Sequence, residues 1–199
     1  MKANINVQGW IDILDVETGD LILHKKNAIH WENFSQALAQ SLCSGPLATG
    51  DSNNAGGFIT GIALGNGGTN VGTNGVIIYK TPNYIGSNAG LFNQTYEKVV
   101  NQYFGNNIDP ANNRLTINHI SGKAYTDVIV ACQLGYGEPS GQQAFDNTTD
   151  FNGNFVFDEL GLVSSGGKLL THVIFHPVQK SLNRMIEIKY TVRIQTLYG

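Results

Sequence analysis

The sequence predicts a mainly β domain of the β-sandwich type: antiparallel sheets, one packed α-helix at about 28–43, and long Gly/Asn-rich loops. Three observations carry this. Ile186, Ile188, Tyr190, Val192 and Ile194 alternate strictly with Glu187, Lys189, Thr191, Arg193 and Gln195, the period of two that gives a strand one buried and one wet face. Gly is abundant at 24 residues, Pro is scarce at 5, and Asn occurs in pairs at 53–54, 106–107 and 112–113, a composition of many turns between β-branched segments. Only one stretch carries convincing helical spacing.

In chain order, Ile5, Val7, Ile11 and Ile13 alternate with Asn6, Gln8 and Asp12, with Gly9-Trp10 offering a site for a bulge. Residues 17–20 (ETGD) turn the chain, and 21–26 return as the hairpin partner. Asn27 reads as a helix N-cap. Trp31, Phe34, Leu38 and Leu42 then follow at intervals of three and four, an apolar stripe expected to pack on the sheet, and Gly45-Pro46 ends the helix. Residues 58–64 read as a strand, 65–75 as a loop and 76–79 as a short strand. Tyr96 to Phe104 read equally as a strand or a helical turn. Residues 114–120 and 125–134 form a hairpin through Ser121-Gly122-Lys123.

Residues 155–194 form the framework. Three extended segments are separated by turn chemistry, with Ser164-Ser165-Gly166-Gly167 as a hairpin loop and Pro177 closing the second strand. The whole chain, 1–199, reads as a single β-rich domain with excursions at about 80–113 and 135–154.

Composition excludes several classes. Charged residues make up 14% and the net charge is −3, against about a quarter in an average domain; a nucleic-acid partner would need a basic stripe. Residues 46–79 hold Asp51 as their one charged side chain, which suits a surface covered by a partner. No apolar run approaches the roughly 20 residues of a membrane span, and MKANINVQGW lacks the apolar core of a secretory signal. Synthesis in the cytoplasm is expected, and the N-x-S/T sites at Asn33, Asn93 and Asn147 are then chance matches. Cys43 and Cys132 are expected as buried free thiols.

Tests for chemistry fail. Gly65-Asn66-Gly67-Gly68-Thr69-Asn70 places Asn where a dinucleotide fingerprint needs its third Gly, and Ser121-Gly122-Lys123-Ala124 lacks the flanks of a phosphate loop. Asp150-x-Asn152-x-Asn154 starts like a calcium loop but has Phe155 and Gly161 where Gly and Glu are required; a surface cation at Asp146, Asp150 and Asn152 is the residual option. His172 and His176 share a strand face, and zinc would need a third ligand that no nearby cluster supplies. Gly137-Glu138-Pro139-Ser140-Gly141 has the wrong spacing for a nucleophile elbow. The expectation is no catalytic, cofactor or metal residue. Glu159 shares a parity with Phe157 and Val163, so an inward carboxylate is expected, with Lys180 as its partner.

Three blocks then stand out: Asn27-Ala28-Ile29-His30; residues 59–69, ITGIALGNGGT; and residues 158–162, DELGL, followed by LLTH at 169–172, Phe175-x-Pro177-x-x-Lys180 and the final alternating strand. This order resembles virion structural proteins of tailed bacteriophages, with an N-x-I/V helix entry, an I-x-x-I-A-L-G-x-G strand, an E-L-G-L strand and an I-x-Y-T-x-x-I strand. The resemblance covers roughly half of the chain by these blocks. It implies a non-enzymatic component of the neck, collar or tail, or a head-decoration protein, located in the virion after assembly in the host cytoplasm. Its implied partners are other virion proteins and copies of itself, as a homo-oligomer, with no nucleic acid and no membrane. A carbohydrate- or receptor-binding β module is the rival, and would use Tyr79, Tyr84, Phe92, Tyr96, Tyr103 and Phe104.

Overall fold

The computed structural model describes residues 3–43, 57–86, 89–140 and 156–198. Within them the chain forms two five-stranded antiparallel sheets that face each other, as the alternation requires. Sheet I has the order β2 (Leu21–Lys26), β1 (Ala3–Asp15), β12 (Ile186–Tyr198), β9 (Tyr125–Leu134), β8 (Arg114–His119). Sheet II has the order β3 (Ala28–Ile29), β11 (Thr171–Gln179), β10 (Val156–Ser164), β4 (Ile59–Gly65), β7 (Gln94–Val99). The middle strands, β12 and β10, both come from the framework block.

The inner faces follow the pleat. Ile11 and Ile13 of β1 lie opposite Tyr190 and Ile188 of β12, and Leu160 and Leu162 of β10 lie opposite Leu64 and Ile62 of β4. All eight are buried in one core with Phe157, Val173 and Phe175. The outer face of sheet I is the wet one. There Arg193 donates to both carboxylate oxygens of Asp127, at 2.7 and 2.8 Å, with its guanidinium 3.9 Å from the centre of the Tyr125 ring.

One polar group crosses the core. Tyr190 of sheet I is fully buried, and its hydroxyl meets the side chains of Asn27 and of Thr171 in sheet II. Burial pushes its phenol well above the ordinary range. Thr171 Oγ1 in turn accepts the Leu162 amide at 2.9 Å.

Several sequence expectations need correction. The helix α1 runs Trp31–Cys43 and its N-cap is His30, three residues after Asn27. His30 Nδ1 accepts the Asn33 amide at 3.2 Å, and the His30 carbonyl accepts from Phe34. Residues 28–29 are diverted into β3 by pairing with Thr171 and His172. The helix buries Asn33, Ala37 and Gln40; of the apolar stripe, Phe34 packs against the core as expected and lines a groove with Leu38, while Trp31 and Leu42 are 59% and 81% exposed. The bulge in β1 falls at Ile13/Leu14, not at Gly9. Part of the loop expected at 65–75 is a strand, β5 (Thr69–Val71), which pairs with β6 (Ile77–Tyr79). Pro177 does not close β11, which continues to Gln179. A register shift places residues 175–177 opposite Asp158, between the Glu159–Ile174 and Phe157–Val178 pairs, so the proline sits where the ladder asks for no donor.

The same bulge reverses Glu159. Phe157, Leu160 and Leu162 enter the core, and Glu159 turns to the opposite face. It is nonetheless fully buried, because residues 65–86 and 89–93 fold over that face. This covering explains why all nine positions of β10 are buried.

Candidate functional site

Two features of the described residues exceed what the sandwich itself requires. The first is the attachment of the covering segment to sheet II. Asp158 Oδ1 accepts the Gly68 amide and Oδ2 the Thr69 amide, each at 2.8 Å, and Thr69 Oγ1 also donates to Oδ2. Glu159 Oε1 accepts the amides of Gly67 (3.1 Å) and Asn93 (2.8 Å), and Oε2 that of Phe92 (2.9 Å). His172 Nε2 donates to Glu159 Oε2 at 3.0 Å, and both side chains are fully buried. The motif blocks GNGGT and DELGL, distant in sequence, thus grip each other.

The glycines are what permit the close approach. A Cβ on Gly65 would lie 2.4 Å from the Asn93 carbonyl oxygen, and one on Gly68 2.9 Å from Ile174 Cγ2. Burial raises the Glu159 carboxyl, but the His172 hydrogen bond and three backbone amides outweigh it, and the net effect holds it below its ordinary value.

The structure therefore replaces the expected Glu159–Lys180 pair with Glu159–His172. Lys180 is fully buried elsewhere, donating to the carbonyls of Tyr136 (3.4 Å) and Ser181 (3.0 Å). Burial lowers its ammonium to about 8, against the opposing pull of Glu138. Glu138 forms an ion pair with Lys98 and accepts the Gly135 amide at 2.9 Å and the Tyr96 hydroxyl at 3.3 Å.

His172 and His176 do not come together as metal ligands. His176 is exposed and lies 3.4 Å from the Tyr79 hydroxyl. No group of three His, Cys, Asp or Glu able to hold a metal occurs among the described residues. Asp146, Asp150, Asn152 and Asn154 lie outside the described residues, as do Asn147 and the Cys43 side chain. Cys132 is free and buried, and burial pushes its thiol up to about 12. Asn33 is buried, its side-chain Nδ2 donating to the Leu169 carbonyl at 2.8 Å.

The second feature is an apolar groove of about 700 Å³ between α1, the start of β4, residues 101–103 and β8. Phe34, Ala37, Leu38, Phe58, Leu115 and Ile117 line it, and no lining residue is charged. Its Ser, Asn and Gln side chains are already engaged. Ser41 Oγ donates to Ala37, Asn101 Nδ2 to Ile59, and Gln102 Nε2 to the Leu115 carbonyl. Gln102 Oε1 also accepts the Leu115 amide at 2.8 Å, so one side-chain amide imitates a neighbouring strand on the outer edge of β8. Tyr103 and Ile117 stand 86% and 76% exposed beside it.

The six aromatics named from the sequence are not a core. Tyr79, Tyr84, Phe92, Tyr103 and Phe104 are all exposed. Tyr79 lies under Lys25 (5.0 Å) and Phe92 under Lys80 (4.6 Å), Tyr103 borders the groove, and Tyr96 is half-buried against Glu138. Neither the groove nor the Gln102 edge guard is foreseeable from the sequence; a helix whose Trp and Leu stay exposed gives no sequence signal distinct from a packed one.

No helix among the described residues is long and apolar enough to cross a membrane. Comparison with protein-family models, with curated proteins and with solved structures finds no match for this chain.

Proposed function

We propose that this chain is a non-enzymatic structural component of a tailed-phage virion, of the neck, collar or tail, working by assembly with copies of itself and with other virion proteins. The observation that carries the reading is the uncharged groove between α1 and β8, with Tyr103 and Ile117 exposed at its border. Contiguous exposed apolar surface of this kind marks interaction sites, and charge depletion is the composition of interface centres. The resemblance supports the same reading, since GNGGT and DELGL make one structural unit. Head decoration is the alternative within this class.

Light scattering of the purified protein during size exclusion tests it. A defined oligomer that Ile117→Asp breaks into folded monomers is the expected result. A monomer at every concentration that also fails to bind assembled particles would overturn the reading.

The carbohydrate-binding alternative is favoured by one observation, that the aromatics are exposed rather than buried. Of the six, Tyr103 alone lines the groove, however, and the polar hollow of about 240 Å³ near Thr60, Glu97 and Ser165 has no aromatic lining.

A further inference from the structure

The hydrogen bonds that attach the covering segment to the sandwich run to ionisable side chains. Among the described residues of 66–93, none belongs to the core cluster. Asp158, Glu159, His172 and His30 do the holding, and all four are buried. Within it, residues 81–85 form a loop anchored at each end. At one end the Lys80 amide donates to Gly68 and its ammonium to the Gly67 carbonyl. At the other, Gly86 donates to Glu32 (3.2 Å) and its carbonyl accepts from His30 Nε2 (3.0 Å).

Between those anchors one hydrogen bond among the described residues ties the loop to the sheet. The Asn83 amide donates to His172 Nδ1 at 2.8 Å; the Asn83 side chain bonds Gly90, within the covering segment itself. These bonds define the tautomer. An amide N–H needs a lone pair on Nδ1, so the His172 proton sits on Nε2, facing Glu159.

We propose that His172 is a one-proton latch that releases the 81–85 loop when its ring takes up a second proton. A proton added at Nδ1 removes the lone pair that accepts Asn83 and sets two N–H groups against each other. Glu159 remains bonded through Nε2, so the ring keeps its seat as one half of a buried ion pair. The hydrogen bond from Asn83 is the one that breaks, and Tyr84 and Ile85, both exposed, move with it.

The other ionisable groups of this layer are committed elsewhere. Asp158 holds Gly68 and Thr69, Lys80 holds Gly67 and lies over Phe92, His176 meets Tyr79, and Glu32 and His30 hold Gly86. Phe92 covers the imidazole at 5.5 Å between ring centres. The apolar core has no member in the loop, so release leaves the sandwich folded.

The test is amide exchange by NMR on the wild-type chain between about pH 7.5 and 5, the span in which histidine takes up its proton, corrected for intrinsic exchange. Asn83 protection is expected to fall by up to about tenfold per pH unit once release binds one proton, while Gly86 and β12 hold theirs. Long-range nitrogen spectra should show Nε2 protonated and Nδ1 bare at neutral pH. His172→Asn retains an acceptor near Asn83 and cannot take a proton, so its Asn83 protection should be independent of pH. Asn83 protection that tracks β12 across the whole range overturns the latch. So does pH dependence that persists in H172N. Should H172N fail to fold, the wild-type titration decides alone.

Discussion

Glu159 and His172 face each other on the outer side of β10 and β11, Oε2 to Nε2 at 3.0 Å, with neither side chain reaching solvent. The carboxylate also accepts three backbone amides from two loops. It is therefore the joint between the sandwich and its covering segment. Glu159→Ala strands three amides and an imidazole N–H in a buried site, and should cost about 3–5 kcal/mol; Glu159→Gln, which retains an acceptor oxygen, should cost clearly less. Urea unfolding with a common slope measures both.

The carboxyl of Glu159 is lowered in the folded chain, so its contribution has a definite pH sign. It is fully present above the unfolded carboxylate value of about 4.3 and is lost as pH falls through the folded value. The stability difference between wild type and Glu159→Gln should then shrink on the acid side. A difference constant from neutral pH down to acid unfolding would contradict this.

Gly65→Ala should destabilise by about 1–3 kcal/mol through overpacking. The new methyl would sit 2.4 Å from the Asn93 carbonyl oxygen and 2.7 Å from Glu159 Oε1, and the nearer atom is backbone, which cannot swing away. Gly75→Ala is the informative control. Nothing lies within 4 Å there, and its cost comes from a φ of +78° alone. Thermal melts of the two variants separate close approach from backbone conformation. Equal losses would mean that the covering segment yields at Gly65.

The strands are legible because their signal is local. The period of two in β12, the dense apolar runs of β4 and β10 and the 114–134 hairpin each fold as their residues read. Partners across the fold are not. Parity alone points Glu159 inward, and a bulge at residues 175–177, opposite Asp158, reverses it; a bulge in the neighbouring strand is not encoded in a single strand's sequence. Lys180 stands out in the framework as a cation for Glu159. His172, whose neutral ring offers both a donor and an acceptor, is the residue the geometry uses. Asn27 has good capping chemistry, yet it is taken up by the Tyr190 hydroxyl, and His30 caps the helix instead.

Gln102→Ala should open the outer edge of β8. The amide side chain now occupies both the N–H and the C=O of Leu115, and removing it exposes a pair that another strand can take. The expected outcome is a small loss of stability, about 1 kcal/mol, together with stronger self-association. Light scattering across a concentration series checks it. Unchanged association would show that the β8 edge takes no part in assembly and leave the groove alone as the docking surface.

Lys180 shifts stability with pH in the same direction as Glu159, but in an alkaline window and for the opposite reason, since burial penalises its charged form. Its folded ammonium is lowered to about 8 by burial, so folding holds its proton less tightly than the unfolded chain does, where lysine titrates near 10.4. The penalty is complete below about 8 and is relieved as pH rises towards 10.4, by a few kcal/mol at most. Cys132, raised to about 12, works against this, since its contribution is full below the unfolded thiol value of about 8.5 and declines as pH climbs above it. The two are separated by comparing wild type with Lys180→Met at each pH. Methionine fills the same volume without a charge, so the variant should gain relative to wild type below pH 8, offset by the carbonyl bonds it gives up at Tyr136 and Ser181. That relative gain should vanish by about pH 10.4. A stability difference independent of pH from about 7 to 10 would mean that Lys180 titrates in the folded chain as it does in the unfolded one.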